Sequence, residues 1–345
     1  MWRCFRKTLH VDRMSILRIA ELSGVSPATV SRVFNRPEQV SDATRSRVLQ
    51  VAAQLGYQPN AAARSLRTQR SRIIGVMLPS LRDPVFAECL EGISSKALRE
   101  GYGIMPIASG YDRSKENEAI VLLVAANVDG LILTVTDPDW FAPALVALSD
   151  QGLPYVLAYN QSPDYVCVGV NSQVEVEQVV HLLIKAGHRK IAMLSGERAA
   201  SDRAAACSQG YLAAMDRARL PSLPIIEVAF MQTSESAVEA VMTNDRSRPT
   251  AMICSSDLLA LRFIRQARQL GLDVPADVSV VGFDGIAVGA ELSPALSTIA
   301  QPSVEIGQRA VELVIAQIHG EKIAAGSEPP MPCSFREGET IRALG

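Results

Sequence analysis

From residue 72 onward the chain alternates short apolar, β-branched runs with longer amphipathic stretches, and no other feature restricts the fold as much. The runs 73–78, 104–107, 131–134, 155–158, 191–194, 225–228, 251–254 and 278–283 read as buried parallel strands. Between or after them, 85–101, 115–126, 172–186, 209–218, 234–243, 258–270 and 304–318 carry helical periodicity. Strand–helix alternation of this kind specifies parallel sheets with helices on both faces. There are too many units for one compact sheet. The expectation is an α/β body of two doubly wound parallel-sheet lobes with a cleft between them.

A different pattern precedes this body. In the segment 16–35, Ala20 is small where two helices would cross closely, and Gly24 falls where the chain must leave the first helix at positive φ. Ser26 can cap a second helix and Pro27 suits its first position. Ile19, Val25, Val30 and Val33 supply apolar contacts, while Thr29, Ser31 and Arg32 stay on polar faces. Helix, short turn and second helix form an all-α helix-turn-helix headpiece, whose second helix enters a DNA major groove. Charge supports this. Residues 1–72 hold thirteen Arg or Lys against four Asp or Glu, which leaves 21 against 32 for the rest. A basic piece on an acidic body suggests that only the piece meets polyphosphate.

Ser41 is placed to cap a third helix running to about Leu55, with Val48, Leu49 and Ala52 toward the core and Gly56 as its stop. Beyond Pro59, Asn60 can cap a short Ala-rich helix carrying Leu66. Such a helix has no core of its own and is marginal in water, as expected of a segment that orders on its target. Residues 1–14 are expected to form a disordered extension. Six scattered cysteines without a CxxC pair suit reduced thiols in a cytoplasmic protein, and the four histidines show no metal-ligand spacing. Neither a metal nor another cofactor is expected. No apolar run reaches the length of a membrane span.

The string Gly24-Val-Ser-Pro-Ala-Thr-Val-Ser-Arg-Val33, then Val40-Ser41, Leu55-Gly-Tyr-Gln-Pro-Asn60, Ala63-Arg-Ser-Leu66 and Ile74-Gly-Val76, resembles the LacI/GalR family of bacterial transcription regulators. The resemblance covers essentially residues 15–345. It implies a helix-turn-helix domain at 15–59 and a hinge helix and linker at 60–72. The rest, 73–345, would be a periplasmic-binding-protein-like body that binds effector and dimerises. Its amino-terminal lobe would comprise about 73–170 and 300–326, its carboxy-terminal lobe about 171–299 and 327–345. Pro27, Ala28 and Arg32 fall at base-reading positions, Arg32 suited to guanine. Ser26, Thr29, Ser31, Asn35 and Tyr57 fall where phosphates are held. Leu66 matches a leucine that wedges between base steps in the minor groove. The implied partners are a pseudo-palindromic double-stranded operator, a second copy of the chain and a small sugar-like effector.

Ligands of open α/β sheets collect beyond the carboxyl ends of the strands. Here those ends are polar: Pro79-Ser-Leu-Arg-Asp-Pro-Val-Phe86, Ser195-Gly-Glu, Ser255-Ser-Asp257 and Gly282-Phe-Asp284. Any one of these residues can equally be a helix cap. The resemblance places Asp83, Phe86, Ser256 and Asp284 in the effector pocket, and Asp257 adjoins them. Two departures stand out. Cys207 occupies a position where many members have a ligand-gripping arginine, and Ser256 one where many have asparagine. Arg203 lies one helical turn earlier and is either its replacement or a solvated helix residue. The stretches 75–88 and 36–41 are most similar to gluconate-utilisation repressors, so a sugar acid such as gluconate or a ketogluconate is the favoured effector. An enzyme on an α/β scaffold and a sugar-binding transport protein are the rivals. The first lacks GxxxxGK, GxGxxG, GxSxG and HExxH motifs, and the second does not account for the headpiece.

Overall fold

The computed structural model describes residues 16–57, 70–230, 235–243 and 248–344. The chain divides between Ser71 and Arg72 into two compact units. In the first unit, α1 (Ile16–Ser23), α2 (Pro27–Asn35) and α3 (Asp42–Gln54) pack around Ile19, Ala20, Val30, Val33, Val48 and Ala52, all buried. Gly24 takes φ +62° at the turn, a conformation in which any side chain would be strained. The Ser26 hydroxyl accepts from Thr29 N at 3.1 Å and Pro27 opens the helix. Two expectations need correcting. Leu49 is 45% exposed rather than in the core. Ser41 occupies the cap position of α3, but its hydroxyl bonds Thr44 Oγ1 and not the helix backbone.

The second unit contains two sheets. The first has the order β2-β1-β3-β4-β5, from β1 (Ile73–Leu78), β2 (Gly103–Ala108), β3 (Gly130–Leu133), β4 (Tyr155–Ala158) and β5 (Cys167–Val168), all parallel. The second has the order β11-β10-β9-β8-β6-β7. It comprises β6 (Ile191–Gly196), β7 (Ile226–Val228), β8 (Ala251–Cys254), β9 (Ser279–Asp284), β10 (Ser297–Ala300) and β11 (Ser334–Arg336). These are parallel apart from β11, an antiparallel edge strand on β10. Helices α4 (Pro84–Arg99), α5 (Arg113–Ala125) and α6 (Pro138–Asp150) belong to the first lobe. The second lobe carries α7 (Ser172–Lys185), α8 (Asp202–Arg217), α9 (Glu235–Met242), α10 (Asp257–Gln269) and α11 (Ala287–Ala290).

The chain leaves the first lobe between Val168 and Ser172. It returns after Ala300 as α12 (Ser303–Ile318), which packs on α4, β3 and β4, and goes back to the second lobe as β11. The α4–α12 crossing is close because Gly92 and Gly307 meet it. A Cβ on Gly92 would stand 2.2 Å from Val304 O, and one on Gly307 2.3 Å from Cys89 O. One apolar cluster runs through both lobes, from Ile74 and Val76 to Val281 and Phe283. The strand β2, expected to be buried, is instead a half-exposed edge paired only with β1. His188 is held by Thr250 Oγ1 at 2.9 Å and Arg342 O at 3.1 Å, a structural role. Among the described residues no helix is long and apolar enough to cross a membrane, and no His, Cys, Asp and Glu cluster could hold a metal ion.

Candidate functional site

Two surfaces concentrate the candidate residues. On the headpiece, Ser26, Pro27, Ala28 and Arg32 are exposed at the start and along one side of α2, while Thr29 and Ser31 are half-buried. Part of the Thr29 surface is covered by the Ser26 hydroxyl, 2.9 Å from its Oγ1. Asn35 is the last residue of α2. Tyr57 packs its ring 5.5 Å from Phe34, which fixes it to the headpiece core. Leu66 lies outside the described residues.

The second site lies beyond the carboxyl ends of both sheets. Arg203, in the first turn of α8, reaches Asp284 at the end of β9, Nη1 to Oδ1 2.6 Å, with side chains only 5% and 0% exposed. Gln301, after β10, donates from Nε2 to the same oxygen at 2.8 Å. Burial pushes the Asp284 carboxyl up, and the Arg203 guanidinium opposes this; the contact is that of a buried ion pair. The Arg203 guanidinium stands over the Phe86 ring at 5.8 Å. Asp83 is buried at the cap of α4, and burial raises its carboxyl against the pull of Arg203. Asp83, Phe86, Arg203 and Asp284 are thus brought together from three segments.

The other expected residues, Ser256, Asp257 and Cys207, stand in the same wall and are held within the second lobe. Ser256 caps α10 through Leu259 N at 3.3 Å. Asp257 spends both oxygens inside its lobe, one on Thr298 Oγ1 at 2.5 Å and one on Ile286 N at 2.8 Å. Both residues therefore frame the second lobe's strand ends. Cys207 is fully buried one turn after Arg203, and burial pushes its thiol up to about 12. It fills space in the wall and offers no charge. Asp83 also caps its helix, through Val85 N at 3.4 Å, so capping and pocket placement coincide there.

Several groups at this site were not anticipated from the sequence. The rings of Tyr111, after β2, and Phe230, after β7, stack across the lobes with centroids 4.1 Å apart and planes within 5°. Phe230 can settle there because residue 196 is glycine: a Cβ would stand 2.3 Å from its ring. Asp202 N donates to Thr136 O at 2.9 Å and Asn160 Nδ2 donates to Asp202 Oδ2 at 2.8 Å, so backbone and side chain both tie the lobes. Burial lifts Asp202 to about 6, while Asn160 holds its charged form. Applying the strand-end rule to β2 would have found Tyr111. Gln301 stood beside the anticipated return to the first lobe, at about residue 300, without being given a role.

The most telling atoms are those left without partners. Among the described residues, seven buried side-chain atoms have no hydrogen-bond partner: Ser303 Oγ, Arg336 Nε and a group of five, Ser109 Oγ, Tyr111 OH, Ser195 Oγ, Asp284 Oδ2 and Gln301 Oε1. All five belong to residues at or just beyond strand carboxyl ends. A buried polar group without a partner costs about 1–3 kcal/mol, so such a concentration marks a place built for a polar guest. Backbone strain is gathered there too: Tyr111, Tyr159 and Asp284 have φ of 60°, 66° and 119°. A polar cavity of about 490 Å³, bordered by Thr136, Tyr159, Gln161, Asp202 and Arg203, opens beside the pair. A larger hollow of about 660 Å³ near Pro154, Tyr155 and Lys322 contains none of these groups.

A helix-turn-helix unit joined in one chain to a two-lobed body with a polar cleft defines a ligand-responsive DNA-binding regulator. Residues 15–60 match the bacterial regulatory proteins of the lacI family, and residues 180–341 match a periplasmic binding protein-like domain. The chain is 34% identical to a ribose operon repressor of Haemophilus influenzae over 313 residues, covering 87% of this chain and 90% of that one. It is also 34% identical to the HTH-type transcriptional regulator GntR of Escherichia coli, covering 88% and 92%. A crystal structure of the lac repressor dimer bound to operator and the anti-inducer ONPF matches with a TM-score of 0.84 at 28% identity, covering 95% and 99%. The chain belongs to the LacI family.

Proposed function

We propose that this protein is a homodimeric repressor of carbohydrate or sugar-acid catabolism genes, controlled by a small polyhydroxylated effector bound in the interlobe cleft. Each subunit would place α2 in the major groove of one half-site, so the operator is a pseudo-palindrome. Arg32 reads guanine, Pro27 and Ala28 give apolar contact, and Ser26, Thr29, Ser31, Asn35 and Tyr57 hold phosphates. Leu66 wedges into the minor groove. The exposure of Ser26, Pro27, Ala28 and Arg32 on one helix supports this assignment.

The observation that carries the effector reading is the set of orphaned buried atoms. With Asp284 ionised against Arg203, Asp284 Oδ2 and Gln301 Oε1 are acceptors, so the missing partners are donors such as hydroxyls. The hydroxyls of Ser109, Tyr111 and Ser195 can donate, and the chain offers them no acceptor. A sugar acid, gluconate or a ketogluconate, supplies both kinds of group, with its carboxylate toward Arg203. A neutral sugar is the second reading, favoured by the pairing that already neutralises Arg203. Effector closure of the cleft and operator affinity are linked by a coupling of about 1–3 kcal/mol acting in both directions.

Fluorescence anisotropy on fragments of the chain's own upstream DNA, with a panel of sugars and sugar acids, tests the proposal. Specific binding lost on addition of one compound names the effector and the sign of its action. Equal affinity for promoter and random duplex at physiological salt overturns the operator reading.

A further inference from the structure

The Arg203–Asp284 pair raises a problem that the sugar-acid reading must solve. The pair is buried, and the carboxyls of Asp83, Asp202 and Asp257 stand around it among neutral groups. Asp83 faces it from the start of α4, Tyr111 from the segment after β2, Tyr159 from just after β4, Asp202 and Cys207 from α8, Asp257 from the start of α10, Gln301 from the segment after β10 and Cys333 from the approach to β11. The Asp83 carboxylate is itself opposed by Arg203 and then Arg262. A carboxylate entering this enclosure would meet a guanidinium that already has its counter-ion. An uncompensated charge in a buried wall is strongly disfavoured, and such a group neutralises instead.

We propose that Asp284 is an internal counter-ion, which surrenders Arg203 to the carboxylate of the effector and takes up one proton from solvent as it does so. The inference rests on the sugar-acid reading and adds to it a mechanism of selection. The Arg203 Nη1···Oδ1 Asp284 contact is exchanged for a contact between the guanidinium and the incoming carboxylate. The proton that Asp284 gains leaves the enclosure's net charge unchanged by the anion's arrival. The acid form of Asp284 then has an O–H to donate, and Gln301 Oε1, buried and without a donor, stands on the side chain already bonded to it. Burial presses Asp284 toward that neutral form even in the empty site, with Arg203 holding it back. A neutral sugar needs no such exchange and binds without proton uptake.

Isothermal titration calorimetry of the full chain with D-gluconate and D-glucose, in two buffers of different ionisation enthalpy at pH 7, counts the protons. The expected result is uptake of about one proton per gluconate bound, and an affinity that falls by about tenfold per pH unit above pH 7. Glucose should show no uptake. In Asp284→Asn the gluconate-linked uptake should vanish, whereas Asp83→Asn should retain it. Gluconate binding with no proton change overturns the counter-ion while leaving the sugar-acid effector intact. Uptake that persists in Asp284→Asn overturns it by moving the proton elsewhere. If glucose binds and gluconate does not, the sugar-acid reading fails, and this inference with it. A wild-type count of zero overturns the counter-ion without any variant, so a poorly folding mutant leaves the proposal falsifiable.

Discussion

The headpiece and the cleft use polar residues in opposite ways. At the cap and along α2, Ser26, Pro27, Ala28 and Arg32 are carried by one short segment, and the small core behind them comes from the same stretch, 16–57. In the cleft, Asp83, Tyr111, Arg203, Asp284 and Gln301 come from five segments more than two hundred residues apart at their extremes, and none is free in solvent. The first surface is legible from local rules because its chemistry is local. The second is a product of topology: it exists only where the carboxyl ends of two sheets are turned toward each other. Substitutions on α2 should therefore alter DNA recognition or local order with little effect on the body. Those in the cleft should alter stability and ligand response together.

Arg203→Ala is the most severe way to test that contrast. It leaves the Asp284 carboxyl buried without its cation, and breaking a buried pair from one side costs about 3–5 kcal/mol. Chemical unfolding of the body should show that loss, and the response to a sugar acid should disappear. Adding Asp284→Asn should restore much of the stability. A loss under about 1 kcal/mol would mean that the pair is solvated and that the two regions differ less than proposed.

The next effect concerns the wall behind the cleft. Glu116 is fully buried and accepts from both Thr136 N and Thr136 Oγ1 at 2.9 Å, and Thr136 O in turn accepts from Asp202 N. Burial lifts Glu116 from 4.5 to about 7, opposed by those two bonds. A carboxyl raised in the folded state favours folding below its unfolded value. This contribution is lost as pH rises through the folded value. Stability of the body should thus fall between about pH 4.5 and 7, by at most roughly 3 kcal/mol from this group. Asp202, lifted to about 6, acts in the same direction. Thermal unfolding across that range should flatten in Glu116→Gln, and an unchanged slope would assign the dependence elsewhere.

What could be read in advance follows the same division. The strands β1, β4 and β8 have the bounds that their apolar runs indicate, because each is buried on both faces. Helix α6 was not read, since Pro138 and Pro143 obscure its pattern, although Phe141, Leu145 and Leu148 line its inner face. Strand β5 has two residues, too few for any periodicity. Helix α8 begins at Asp202, seven residues before the expected start at 209. Its first half, Asp-Arg-Ala-Ala-Ala-Cys-Ser, has few large apolar residues because that half faces the cleft. The residues that hide the helix are thus part of the site. Arg203 was legible as a candidate only through the family resemblance, one helical turn before Cys207, but its partner was not, since only the fold brings residue 284 to residue 203.

On the headpiece, Arg32→Ala should cost about 1–3 kcal/mol of operator binding and relax preference at one base pair, while leaving stability nearly unchanged. Arg32 is exposed, so little packing is lost with it. Anisotropy on operators substituted at single positions would show the relaxation. A uniform loss across all sequences would make Arg32 a phosphate contact instead.

Ser26→Ala is the mildest test and the most local. The Ser26 hydroxyl accepts from Thr29 N and shares a hydrogen with Thr29 Oγ1, and α2 has no acidic residue in its first turn to replace it. Alanine removes the cap at a cost of about 1 kcal/mol, whereas Ser26→Gly should cost only a few tenths, because glycine leaves the end of the helix open to water. Hydrogen exchange of α2 amides in the full chain should quicken in the order serine, glycine, alanine, while α8 amides and effector affinity stay as they were. The ranking of glycine against alanine separates lost capping from lost phosphate contact. Both substitutions delete the hydroxyl, so a DNA contact would suffer equally in the two, and only the cap distinguishes them.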